Sequence, residues 1–336
     1  MLFENVSRNK GAFNEFTLVV AEQRSYLESK TKHADAIHWH LQRIYLEDIQ
    51  EYLKTFFDLV LKRLKHFNMR GITVAFDETY LPYYGQKWSM WIYGYNNKLK
   101  GATGSYKFMV CSIVLGKRHL VLYMLPMKRG DEAYEFLEQM LSRIQKYLNV
   151  KLVLCDRGFF SERVVSTLEE HDLKYVILTP KNKKIKRYMK AKELQVTDFL
   201  KGNYEKSTHY TQVNYIFAYS LLGHDWAFTT NCSMNVLALI MTYKGRWGIE
   251  TTFRVMDLAD IKSKSTEIVT RTFMFLVSIV LYNLWLEFKE KKPVTFEIFL
   301  DYLALASKSK KQIVEEWEEA SLFVKGFSPR TEIAFS

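Results

Sequence analysis

Covalent cross-links and membrane-spanning segments are what this sequence lacks first. It has three cysteines in 336 residues, Cys111, Cys155 and Cys232. They stand far apart and form no Cys-x-x-Cys pair. That argues against a disulfide framework or a zinc site and for a reduced, intracellular chain. No secretory leader is recognisable. The longest apolar run, Thr272 to Leu286, has 15 residues, short of the ~20 that a membrane span needs. It reads as a buried helix, so the expectation is a cytoplasmic protein without a membrane partner. Internal repeats and low-complexity tracts are absent. Acid is in short supply: 37 Asp and Glu face 48 Lys and Arg, for a net charge of +11. Such an excess suits a polyanionic partner such as nucleic acid. Aromatics, by contrast, are plentiful, with 21 Tyr and 23 Phe. Most belong to a core, and some could stack on bases.

One stretch organises the rest: Tyr243-Lys-Gly-Arg246-Trp-Gly-Ile-Glu250-Thr-Thr-Phe253-Arg254. Its spacing predicts a single helix. Arg246, Glu250 and Arg254 follow one another at four-residue steps, and Tyr243 lies two turns before Glu250. All four therefore share one face. Ile249, Phe253 and Met256 form a neighbouring, core-facing stripe. A carboxylate can hold a metal ion, and guanidinium groups bind phosphate through two parallel hydrogen bonds. A solvated face with ion pairs one turn apart is the alternative that this stretch alone leaves open.

Two further carboxylates stand upstream. Ile72-Thr-Val-Ala-Phe76 is a short β-branched, apolar run, and Asp77 stands at its end. Lys151-Leu-Val-Leu-Cys155 is another, and Asp156 stands at its end. Both runs predict buried strands. A carboxylate just past a buried strand is held on a rigid edge, where open α/β sheets place their ligands. Glu78 is a rival to Asp77 and Asp131 a more distant one. Strand alternation points Asp77 and Glu78 to opposite faces, so only one of those two can serve.

These three motifs, in this order, resemble the insertion-sequence-four family of DDE transposases. Tyr243, Arg246 and Glu250 match that family's Tyr-x-x-Arg-x-x-x-Glu-x-x-x-x-x-x-Lys signature, while its final Lys falls on Asp257. Asp77-Glu-Thr79 and Asp156-Arg-Gly-Phe159 are similar to the motifs around the family's two aspartates. The resemblance covers roughly residues 70 to 285. It implies an α/β fold: an RNase H-like mixed sheet flanked by helices, interrupted by a β-rich insertion, with helical N- and C-terminal regions. The corresponding domains are a helical N-terminal region (1–68), the first part of the catalytic domain (69–180), the insertion (181–240), the second part with the glutamate helix (241–290) and a helical C-terminal region (291–336). It further implies that Asp77, Asp156 and Glu250 are catalytic and hold two Mg²⁺ or Mn²⁺ ions, and that Tyr243, Arg246 and Arg254 grip DNA. The activity implied is cleavage of transposon ends and transfer of the 3′-OH to target DNA. The implied partners are double-stranded DNA, both ends and target, and a second copy of the chain, a homodimer on DNA. The implied setting is the prokaryotic nucleoid.

Read in order, residues 46 to 67 carry apolar residues at helical spacing, with Lys62, Arg63 and Lys65 in the last turn. His33, His38 and His40 have no matching fourth ligand. Strands over 72–76, 107–115 and 119–125 suggest an antiparallel meander, with a turn-rich exit over 80–85. A helix over 131–148, a strand over 152–155, a helix over 161–170 and a strand over 175–178 follow. The basic run Lys181-Asn-Lys183-Lys184-Ile-Lys-Arg187 reads as a loop, either merely solvated or contacting phosphate. Strands over 213–221 and 226–230 come next. Trp226 could stack on a base pulled from the duplex or be a core residue of a small sheet. Beyond Leu286 a charged linker is expected over 287–293, then helices over 295–306 and 310–323. A nuclease that cuts without joining, and a non-catalytic DNA-binding relic, remain as alternatives; Asp257 keeps the second alive.

Overall fold

The computed structural model describes residues 41–306 apart from 42, 66–70, 87–88, 95–100, 117, 260–264 and 292. His33, His38, His40 and the helix expected over 310–323 lie outside these residues. The chain divides into two compact units.

The larger unit comprises Ile44–Val255 and Lys264–Ile279. Its strands are β1 (Ile72–Tyr83), β2 (Gly104–Leu115), β3 (Arg118–Met127), β4 (Val150–Cys155), β5 (Lys174–Leu178), β6 (Gln195–Tyr204), β7 (Ser207–Leu221) and β8 (His224–Thr230). Its helices are α1 (Leu46–Lys65), α2 (Ala133–Ile144), α3 (Glu162–Glu170), α4 (Lys183–Lys190), α5 (Val236–Gly245) and α6 (Gly248–Met256), the last residue of which falls in the other unit. All eight strands form one sheet in the order β3-β2-β1-β4-β5-β8-β7-β6. β1, β2 and β3 make the expected antiparallel meander, and β4 and β5 then run parallel to β1. Parallel neighbours need crossover helices, and α2 and α3 supply them. The β-rich insertion expected over 181–240 supplies β6, β7 and β8, which extend this sheet through the antiparallel pairing of β8 with β5.

One face of the sheet carries α5. Its Leu239, Ile240 and Tyr243 pack on Ala75, Leu154, Val176, Ala218, Trp226 and Phe228. The other face packs on amphipathic helices. Phe57 of α1 stacks on Tyr123 of β3 at 4.7 Å, and Asp58 of α1 takes both guanidinium contacts of Arg143 of α2 at 2.6 Å.

Three local expectations need correction. β1 does not end at Phe76 but runs on through the supposed exit to Tyr83, because Asp77 to Tyr83 keep pairing with β2. The basic run is not a loop: Asn182 caps Ile185 N–H and starts α4. The single helix through Glu250 is two helices, broken at Arg246 and Trp247.

The smaller unit includes the 3₁₀ turn Asp257–Ala259, the second half of α7 (Ile268–Lys291) and α8 (Phe296–Ala306). Trp285 and Phe288 of α7 pack on Phe296 and Phe299 of α8. The charged linker expected over 287–293 is helical as far as Lys291. By length and composition α7 could cross a membrane, but 61% of its apolar window is buried.

Candidate active site

Asp77 and Asp156 are neighbours by register. Phe76 of β1 lies beside Cys155 of β4 in a parallel pair. The next residue in each case is an aspartate: Asp77 continues β1, and Asp156 stands one position past the end of β4. Asp77 shares its face with Ala75, the face that α5 covers. It is buried, with 9% of its surface exposed. Its Oδ1 accepts from Glu78 N–H at 3.0 Å and its Oδ2 from Arg246 Nη1 at 3.0 Å. Burial pushes the Asp77 carboxyl up to about 7. Arg246 opposes the rise, and Asp156 and Glu250 add to it.

Asp156 directly follows β4 and caps the 3₁₀ turn Arg157–Phe159, its Oδ1 accepting from Gly158 N–H at 2.6 Å. A side chain at 158 would press on that oxygen, since a Cβ there would lie 3.0 Å from it. Glu250 lies in the first turn of α6 and is exposed, with Oε1 3.1 Å from Arg246 Nη2. Arg246 stands in the break between α5 and α6, only 4% exposed, and bridges Asp77 and Glu250.

Glu78 is settled by its partners. It points to the opposite face, where Lys107 Nζ sits 2.7 Å from Oε1 and Tyr80 donates to Oε2. Asp131 is used in a turn, accepting from Lys128 N–H at 2.9 Å.

The face expected to carry Tyr243, Arg246, Glu250 and Arg254 splits at the helix break. Tyr243 is fully buried against Phe228 and Trp226, and burial pushes its phenol up to about 12. Arg254 is exposed, its guanidinium 3.5 Å from the Thr251 hydroxyl. Trp226 is 5% exposed, stacks on Phe228 and donates to Leu221 O at 2.9 Å. That is the core alternative of its two readings; the ring offers no free face to a base. Lys181 and Lys183 are exposed, whereas Lys184 is held by Asp198 at 2.5 Å. Asp257 lies past the end of α6, in the 3₁₀ turn, so it does not occupy the second turn after Glu250 on the same helix.

One supporting residue escaped the sequence reading. His119 of β3 is buried, accepts from the Ser112 hydroxyl at Nδ1 and donates from Nε2 to Gly245 O, each at 2.8 Å. It pins the end of α5 immediately before Arg246. A histidine opening the apolar run His119-Leu-Val-Leu-Tyr-Met124 was the available signal.

Asp77, Asp156 and Glu250 offer only carboxylate oxygen, the donor set of Mg²⁺ and Mn²⁺ rather than of zinc. Among the described residues no three such groups converge into a finished cage, because the Arg246 guanidinium fills the gap between Asp77 and Glu250. The donor chemistry suits a divalent ion, but the side chains as arranged here do not form a site for one.

A mixed sheet flanked by helices, with Asp77 on one strand, Asp156 just past its parallel neighbour and Glu250 on a later helix, is the arrangement that the resemblance to DDE transposases implies. The comparison by sequence agrees: the family described as "Transposase DDE domain" matches residues 69–284, and the chain belongs to that family. No curated protein matches. Among solved structures, the synaptic complex of piggyBac transposase with hairpin DNA aligns with a TM-score of 0.52 at 14% identity, over 84% of this chain and 60% of that one. This chain thus spans about three fifths of that relative, and the likeness concerns the fold. The strand transfer complex of Mos1 is also matched, at 19% identity over 45% of this chain and 49% of that one, with a TM-score of 0.19.

Proposed function

We propose that this protein is a DNA transposase of the insertion-sequence-four type, which cleaves transposon ends and transfers the freed 3′-OH to target DNA. The observation that carries the reading is the register of β1 and β4, which sets Asp77 beside Asp156, together with the Arg246 bridge that brings Glu250 to the same place. These three carboxylates would hold Mg²⁺ or Mn²⁺, which lowers the cost of presenting an oxygen nucleophile to a charged phosphodiester and of releasing the leaving oxygen. The chain's own residues do the rest. Asp77 is fixed by Glu78 N–H and Asp156 by Gly158 N–H, so neither must be oriented during reaction. Arg246 neutralises Asp77 and Glu250 while no other cation does, and it is the group within reach to turn onto a phosphate when they are taken up. Arg254, exposed one turn beyond Glu250, would contact a backbone phosphate in this reading. Tyr243 acts through packing, buried on Phe228 and Trp226 with its ring centre 5.6 Å from the Arg246 guanidinium carbon. The same reading makes double-stranded DNA the partner, a homodimer the working form and the nucleoid the setting.

A cleavage assay tests this. A duplex carrying one element end should be cut with Mg²⁺ and left intact with chelator. A pre-cleaved end should then join to target DNA. Cutting without joining would favour a plain nuclease, and neither would favour a DNA-binding relic.

A further inference from the structure

α4 is an eight-residue helix whose solvent face is entirely cationic. Lys183, Lys186, Arg187 and Lys190 are exposed and recur at three- and four-residue steps, and Lys181 leads into them. The opposite face is apolar and anchored: Ile185 is buried, and Tyr188 packs near Tyr215 and Phe217 and donates to Asp198 Oδ2 at 2.5 Å. Like charges at these spacings repel one another. Cations in the first turn also oppose the helix dipole, and that turn holds no acid. From Thr179 to Lys192 the sequence has no Asp or Glu. Among the described residues Lys184 is the cation of this helix with an acidic partner, Asp198. A folded surface that carries this repulsion uncompensated is complementary to something polyanionic from outside.

Its place says which polyanion. β5 runs parallel to β4, with Ile177 beside Cys155, so both strands end at the same edge of the sheet. One leads to Asp156, and the other leads through Thr179–Asn182 into α4. Tyr215 ties the two together, 6.3 Å from Phe160 of the Asp156 loop and 6.3 Å from Tyr188 of α4. We infer that the outer face of α4 is a phosphate-tracking surface for the duplex that extends away from the carboxylate site, with Lys186, Arg187 and Lys190 joining Lys183, and with Lys184 serving as a brace to β6 instead. The inference rests on the DNA reading of that site and adds a surface of backbone contact without base selectivity.

The experiment uses the full chain with Lys183, Lys186, Arg187 and Lys190 all replaced by Gln, a good helix former. Its control replaces Lys146 and Lys151, exposed at the opposite end of β4. Binding to duplexes with and without the element end is measured against salt concentration, with circular dichroism confirming the fold. The α4 variant should lose affinity for both duplexes, and its salt slope should fall by about 0.9 for each contact removed. The control should keep the wild-type slope. A wild-type slope in a folded α4 variant overturns the inference, as does loss of binding to anionic phospholipid vesicles with DNA binding unchanged. If the wild type cuts DNA while the variant keeps its slope, only the α4 surface fails. If α4 carries DNA binding and the wild type never cuts, only the nuclease reading fails.

Discussion

The guanidinium of Arg246 lies 3.0 Å from the Asp77 carboxylate although the two residues are 169 positions apart in the chain. Both are buried. Removing one member of a buried ion pair strands the other charge, at a cost of about 3–5 kcal/mol. Asp77 can relieve part of that by taking up a proton, since burial already raises it to about 7. Arg246→Gln should therefore destabilise the metal-free protein by roughly 3 kcal/mol at pH 8. Arg246→Lys should recover only part, because one ammonium cannot bridge Asp77 and Glu250 as a planar guanidinium does. Urea unfolding measures both, and a loss below about 1 kcal/mol, within the range of an exposed pair, would show that the bridge does not stabilise the fold.

Trp226 is packed on Phe228, Tyr243 and Trp247. Trp226→Ala should cost about 3–5 kcal/mol as a cavity mutation, while Trp226→Phe should cost clearly less. Denaturant melts decide this. A Trp226→Ala protein with wild-type stability and a selective defect on DNA would restore the base-stacking reading.

Gly202 on β6 faces Glu162 on α3. A Cβ at 202 would fall 2.4 Å from Glu162 Oε2, while Glu162 Oε1 accepts from the Thr211 hydroxyl on β7 at 2.6 Å. Gly202→Ala should destabilise by about 1–3 kcal/mol through overpacking. Because the tightest of the contacts is to the carboxylate, with Tyr204 Cε1 at 2.9 Å and Glu162 Cβ at 3.1 Å remaining, the double variant with Glu162→Ala should be more stable than the sum of the single effects predicts, by about 1 kcal/mol. Strict additivity in the cycle would show that the two residues do not meet.

His119 gives a pH signature. Burial lowers its pKa from 6.5, with the Gly245 carbonyl opposing and the Arg246 charge assisting. Between the depressed folded pKa and 6.5 the unfolded chain binds the extra proton, so stability falls as pH drops below about 6.5. His119→Gln should remove that part of the pH dependence. Melting temperatures from pH 7.5 down to 5 check it, and equal slopes for the two proteins would exclude His119 as the source.

Much of this was legible in the sequence, and the exceptions have physical causes. The strand segments leading to Asp77 and Asp156 were visible because a buried parallel strand is a continuous apolar run, and the order of elements from β1 to β5 followed. The register that sets Asp77 beside Asp156 was not visible, since pairing is a long-range property. The break at Arg246 and Trp247 was hidden because Arg246 and Glu250 are paired one turn apart whether or not the helix is continuous. That hid the burial of Tyr243, whose phenol looked like part of a polar face. β6 was missed because its alternating exposure, Gln195 to Tyr204, is that of an edge strand with polar residues on its open side. Glu78 could not be separated from Asp77 until Lys107 was seen to claim it.

The claim on which the rest depends is that Asp77, Asp156 and Glu250 work as one divalent-metal site. Its most direct test is Mg²⁺-dependent cleavage of an end-bearing duplex by wild type and by Glu250→Gln, with binding of the same duplex measured in parallel. Glu250 is exposed and its replacement keeps the side-chain shape, so folding should be preserved. Cleavage should fall by about a thousand-fold or more, the scale of losing several kcal/mol of transition-state stabilisation, while duplex binding stays at the wild-type level. Wild-type cleavage by the folded Glu250→Gln protein would contradict the account.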